Sequence, residues 1–155
     1  MKIAIIGTGR VAAALGKGWA ARGHMVTFAS RQPGSEKVAT LVAAAGPNAA
    51  AARVADAVAR SSIVVLAVPF SAAQEMLARA GDLAGKLLID CTNPIAPGLR
   101  PLYNGDRSGA EQIAAWAPGA RVVKAFNTTG AENMASPGYP GGAASMFLCG
   151  DDELG

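Results

Sequence analysis

The chain has 155 residues, 51% of them hydrophobic and 16% charged, with a formal net charge of +3. That length suits one domain with one core, and the composition excludes a disordered chain. The lysines and arginines are scattered rather than striped, so no nucleic-acid partner is expected, and no apolar run reaches the ~18 residues of a membrane span.

Lys2–Ile6 is a short apolar run ended by Gly7 and Gly9, the first predicted strand. It begins directly after Met1 with no basic segment or small-residue cleavage site, so no signal peptide is expected. From Arg10 to about Arg22 the period becomes helical, with Val11, Leu15 and Trp19 on one face and Gly23 as the stop. Met25–Ala29 is a second strand, and Ser35–Ala45 a second helix closed by Gly46-Pro47. Asn48–Val54 reads as a weak strand or a loop, and Ala55–Arg60 as a short helix. The β-branched run Ser62–Val68 is a buried strand stopped by Pro69; Ser71–Ala80 is a helix capped by Ser71 or Phe70.

Lys86–Asp90 is the next strand, followed by a long loop from Thr92 to about Gly109. A helix from about Ala110 to Trp116, a strand Arg121–Phe126, a loop Asn127–Gly142 and a last strand Ala144–Cys149 complete the pattern. Asp151-Asp152-Glu153 then reads as the acidic start of a further helix. Strands and helices alternate throughout. The expectation is an α/β fold: one Rossmann-type, doubly wound, mostly parallel sheet over residues 1–155.

Gly7-Thr8-Gly9-Arg10-Val11-Ala12 lies between the first strand and first helix, a GxGxxA form of the dinucleotide fingerprint. Gly7 permits the tight turn, Gly9 leaves space for backbone N–H groups to approach a pyrophosphate, and Ala12 lets the helix lie on the strand. The free N–H groups of the helix N-terminus then face the anion. About 20 residues on, where NAD enzymes place a carboxylate for the ribose 2′-hydroxyl, the chain has Ser30-Arg31-Gln32. A carboxylate there would repel a 2′-phosphate; Arg31 can pair with one, and Ser30 can donate to it. Each such bond contributes roughly 1.5–3 kcal/mol, enough to favour NADP over NAD by about tenfold. Lys37 could add charge nearby, but a solvated helix face is the preferred reading.

Several further stretches fall into a family order: Gly23-His24, Ala67-Val68-Pro69, Asp90-Cys91-Thr92-Asn93-Pro94, Lys124-Ala125-Phe126-Asn127-Thr128 and Cys149-Gly150-Asp151-Asp152. With the Gly7–Ala12 turn and Ser30-Arg31, they resemble the NADPH-dependent reductases related to coenzyme F420:NADP oxidoreductase. The resemblance implies NADP(H) as cofactor and a hydride passed to a small-molecule acceptor, a deazaflavin (F420) or a flavin. It also implies that Ala67, Val68 and Pro69 line the ribose and adenine side, that Asn93 and Pro94 approach the nicotinamide half, and that Asn127 holds the carboxamide or borders the acceptor. In the family, further helices follow this point and help build the acceptor pocket and often a homodimer contact; the 155 residues depart from that pattern, and the expectation is a truncated or shortened member.

No catalytic residue is named. The single histidine, His24, is expected in a turn at the wrong edge of the sheet, and Tyr103 has no lysine four residues later. Lys124 sits in a strand of buried neighbours and is the minor candidate for a catalytic group, and no His/Asp/Glu cluster suggests a metal. Cys91 and Cys149 follow no metal or redox spacing and are expected as small buried residues, which makes the cytoplasm the default compartment. A hydride exchange between two rings needs positioning rather than an acid–base pair. The alternatives are a reductase of another small acceptor, an imine or carbonyl compound, and a non-catalytic NADP(H)-binding module.

Overall fold

The computed structural model describes residues 1–96, 98–102 and 107–151. Tyr103 and residues 152–155, including the acidic start expected at Asp152-Glu153, lie outside them.

In chain order the elements are β1 (Lys2–Ile6), α1 (Arg10–Ala21), β2 (Met25–Ala29), α2 (Glu36–Ala45), β3 (Ala49–Ala52), α3 (Val54–Ala59), β4 (Ile63–Leu66) and α4 (Phe70–Ala78). The second half runs β5 (Leu87–Asp90), β6 (Ile95–Ala96), β7 (Arg100–Pro101), α5 (Gly109–Trp116), β8 (Arg121–Lys124), α6 (Ala131–Ala135), β9 (Gly138–Tyr139), β10 (Gly142–Ala143) and β11 (Cys149–Gly150). Seven strands form one sheet in the order β11-β8-β5-β4-β1-β2-β3. All neighbours pair in parallel except β11, which runs antiparallel to β8. This is the doubly wound Rossmann architecture expected from the alternating pattern.

Side-chain alternation along the strands divides the core. Ala4, Ile6, Val64, Leu66 and Leu88 pack against Val58 of α3, Phe70 and Leu77 of α4 and Ile113 of α5. Ile3, Ile5, Val26, Phe28 and Val65 pack on the opposite face against Ala12 and Leu15 of α1 and Ala45 of α2. Gly16 lets α1 approach the sheet, because a Cβ there would lie 2.4 Å from the Phe28 ring.

The chain order also places the ligand edge. β1 leads out to β2 and β3, while β4 starts the other half of the sheet on β1's opposite side. The strand order therefore reverses between β1 and β4, and ligands of open α/β sheets bind beyond the carboxyl ends of the strands at such a point.

Three local expectations are corrected, and one reading left open is resolved. The cap of α4 is Pro69, with φ −55° and ψ 142°, and Phe70 and Ser71 are already helical. Pro presets the φ of a residue entering a helix and sacrifices no bonded N–H there. The last strand is only Cys149–Gly150, an edge pair with β8, and residues 144–148 carry no strand. Cys149 is consequently exposed rather than buried. The ambiguous stretch after α2 is a strand, β3, pairing through Ala49–Ala52 with β2.

Candidate active site: a dinucleotide cleft at the strand ends

Gly7 adopts φ +131°, and a Cβ on it would sit 2.2 Å from the carbonyl oxygen of Ala67. Only glycine satisfies both conditions, the positive φ and the contact with the neighbouring strand's backbone. Gly9 is different. It has an extended backbone (φ −89°, ψ −171°) as N-cap of α1, and a Cβ there would meet nothing within 4 Å. Nothing in the fold forbids a side chain at Gly9, which leaves the space above the turn open. No side chain caps α1 and no acidic residue stands in its first turn, which leaves its N-terminal dipole free to face an anion. Ala12, the third position of the fingerprint, is fully buried.

A cleft of about 450 Å³ runs across this turn between β1, β2 and β4. Gly7, Thr8 and Gly9 form its base, Ser30 and Arg31 one wall, and Ala67, Val68 and Pro69 the other. Eight sequence-predicted residues from three separate strand ends thus meet in one place. Lys37 of α2 also borders this cleft, and a second cavity of about 590 Å³ continues past Arg31 and Lys37 and adds Ser35 and Arg79. Ser30 Oγ accepts a hydrogen bond from the Gln32 N–H at 3.1 Å, which shapes the turn after β2.

Arg10 and Val11 do not line the cleft with their side chains. Arg10 Nη2 pairs with Glu132 Oε2 of α6 at 3.0 Å, and Val11 packs against the apolar core. Their part in an anion cradle is confined to backbone N–H groups. The Arg10–Glu132 pair is mostly exposed and contributes about 0–1 kcal/mol.

Asn93, Pro94 and Asn127 lie farther along the same edge. Asn93 Nδ2 donates to the Asn127 carbonyl at 3.1 Å, and Asn127 Nδ2 donates to Asn93 Oδ1 at 3.3 Å. The Pro94 ring packs where Gly109 begins α5; a Cβ on Gly109 would be 2.8 Å from it. Before Asn127, Phe126 takes a positive φ of 66°, and its ring meets Trp19 edge-on at 6.0 Å. That backbone conformation is costly for a bulky residue and turns the chain sharply at the end of β8.

Beneath the two asparagines lies a polar unit that the sequence did not reveal as one. Asp90 is completely buried, and its Oδ2 accepts from Lys124 Nζ at 2.9 Å. Oδ1 accepts the Thr92 N–H at 2.8 Å, and Lys124 also donates to the Thr92 carbonyl. Lys124 is therefore committed to the ion pair, not free for proton transfer. Burial, reinforced by the neighbouring Asp90 charge, pushes the Cys91 thiol up to about 12, so it stays protonated and inert. His24 lies at the turn between α1 and β2, 3.3 Å from the terminal amine, at the opposite edge of the sheet from the cleft. Among the described residues no group of three His, Cys, Asp or Glu could hold a metal, and no helix is long and apolar enough to cross a membrane.

A cradle at a strand-to-helix turn, at the point where strand order reverses, defines a nucleotide-binding domain of the dinucleotide type. The model of the family NADP oxidoreductase, coenzyme F420-dependent, matches residues 2–94, and this chain belongs to that family. A candidate F420-dependent NADP-reductase of Arthrobacter sp. FB24 superposes with a TM-score of 0.87 at 34% identity, covering 99% of this chain and 75% of that one. The hypothetical protein SMa0349 of Sinorhizobium meliloti gives 0.85 at 30% identity with the same coverage. The metalloreductase STEAP3 of Rattus norvegicus is 30% identical over 151 residues, 97% of this chain; the chain spans 29% of that protein. A reductive aminase of Aspergillus terreus, solved with NADPH4, gives 0.66 at 26% identity, and the chain covers 44% of its length.

Proposed function

We propose that the chain binds NADP(H) and transfers a hydride between it and a deazaflavin (F420) or flavin-type acceptor. The observation that carries the reading is the joining of the Gly7–Gly9 cradle and the Ser30-Arg31 wall in one cleft. The end of β2 holds a guanidinium and a hydroxyl where a 2′-hydroxyl reader would hold a carboxylate. The family relationship supports the cofactor class, and the name of the Arthrobacter relative supports the acceptor. Two free cysteines, one of them exposed, fit a cytoplasmic setting.

The residues fit the cofactor piece by piece. Backbone N–H groups of the turn and the start of α1 would receive the pyrophosphate, with Gly9 leaving the approach open. Ser30 and Arg31 would hold the 2′-phosphate, and Val68 and Pro69 would pack on the adenosine half. Each paired asparagine keeps one amide N–H beyond its bond to the other, and these are the groups suited to a carboxamide. Bound NADPH supplies the hydride. The chain's task is to hold the ring and orient it, and no side chain is assigned a proton.

The test is NADPH oxidation by the purified chain with F420, FMN and FAD in turn. Turnover with one of them supports the reading. Tight NADPH binding without turnover on any acceptor would reduce it to a binding module.

A further inference from the structure

Two cavities share Ser30, Arg31 and Arg79, and cations line both: Arg31 after β2 and Arg79 after α4 border each, with Lys37 of α2 in one and Arg53 before α3 in the other. One carboxylate enters this group. Glu75 Oε1 stands 3.0 Å from Arg79 Nε and 3.8 Å from Arg31 Nη1. The Arg79 contact is a hydrogen bond one helical turn along α4; the Arg31 contact reaches across the cleft. A single anionic oxygen thus sits between two guanidinium groups at the place where the 2′-phosphate is expected.

From this geometry we infer that Arg79 is a second cation of the 2′-phosphate site, and that Glu75 is a resident counter-ion which the phosphate displaces. The inference rests on the NADP(H) reading above and deepens it. A phosphate offers three acceptor oxygens and close to two negative charges, against two oxygens and one charge for Glu75. It can therefore accept from both guanidiniums more strongly than the carboxylate does. A ligand ending in a 2′-hydroxyl lacks the charge to displace Glu75, and leaves the Arg79–Glu75–Arg31 bridge in place. The carboxylate thus lowers affinity for the phosphorylated ligand while keeping both arginines extended toward the pocket between binding events.

The experiment titrates the full chain with 2′,5′-ADP and with 5′-AMP by calorimetry, for wild type, Arg79→Ala, Glu75→Gln, the double variant and Arg31→Ala. Circular dichroism checks each fold, and Arg79→Gln, which removes the charge but keeps most of the side chain, replaces Arg79→Ala if that variant does not fold. Arg79→Ala is expected to weaken 2′,5′-ADP about tenfold and 5′-AMP less than about twofold. Glu75→Gln is expected to tighten 2′,5′-ADP about threefold or more, leaving 5′-AMP unchanged. The double variant should lie between the two. The inference is overturned if Glu75→Gln weakens 2′,5′-ADP, or if Arg79→Ala affects both ligands equally or neither. If Arg31→Ala remains selective for 2′,5′-ADP in those cases, the NADP(H) reading survives without this refinement. If wild type itself binds both ligands alike, that underlying reading fails as well.

Discussion

Asp90 and Lys124 stand opposite each other in register on adjacent parallel strands, β5 and β8, and their charges meet at 2.9 Å with the carboxylate fully buried. The pair ties together the two strand ends that carry Asn93 and Asn127. The polar end of the sheet is thus braced from below by a buried ion pair and across the top by the two amides.

Removing one partner should cost far more than removing both. Lys124→Met leaves an unpaired buried carboxylate and is expected to lower stability by about 3–5 kcal/mol in urea denaturation. Asp90→Asn combined with Lys124→Met keeps an oxygen for the Thr92 N–H and should recover most of that loss. A single variant within about 1 kcal/mol of wild type would contradict a tightly coupled pair.

The two cradle glycines should fail in opposite ways. Gly7→Ala forces a Cβ into the Ala67 carbonyl at a positive φ, and should lose about 2 kcal/mol or more of stability. Gly9→Leu has open space and an extended backbone, so its stability should stay within about 1 kcal/mol of wild type, the cost of a poorer cap. Its NADPH affinity should nonetheless fall by tenfold or more. Thermal melts and NADPH titrations of the two variants separate the roles; a Gly9→Leu chain that binds normally would refute the cradle.

The cysteines should be distinguishable by reactivity and by pH. A thiol-disulfide reagent at neutral pH should titrate one group, exposed Cys149, in the native chain and two in denaturant. Cys91 has its thiol raised from an ordinary 9.0 to about 12 in the fold. The folded chain therefore keeps a proton that the unfolded chain releases between those values. Its contribution to stability is complete below pH about 9 and is lost progressively as pH rises toward about 12. Cys91→Ala should flatten that alkaline decline in denaturation curves, and an unchanged slope would refute it.

Much of the fold was legible because its signals are local. Lys2–Ile6 and Met25–Ala29 are apolar runs bounded by glycine, serine or charge, and the structure has the same bounds. The GxGxxA turn carries its own geometry, since Gly7 and Ala12 are constrained by neighbours the fingerprint implies. Legibility failed where the outcome depends on long-range pairing. Ala49–Ala52 has no β-branched residue, which leaves strand and loop both open in the sequence, and it is a strand because it pairs with the edge of β2. Ser108 and Glu111 form a capping box that starts α5 at Gly109, one residue before the expected position, and the S-x-x-E spacing that encodes it is visible in the sequence. The long loops contain the short hairpins β6–β7 and β9–β10 and the helix α6, each too brief for a periodicity to register. At the site, Asp90 and Lys124 looked unrelated at 34 residues apart until β5 and β8 paired. Glu75 and Arg79 joined Arg31 only once α4 lay beside the turn after β2.

The central claim is that Arg31 reads a 2′-phosphate above a glycine cradle, and calorimetry with NADPH and NADH on wild type and Arg31→Ala tests it most directly. Wild type should bind NADPH at least about tenfold more tightly than NADH, and Arg31→Ala should erase most of that preference with little change for NADH. Equal affinities for the two cofactors in wild type, or equal losses for both in the variant, would contradict it.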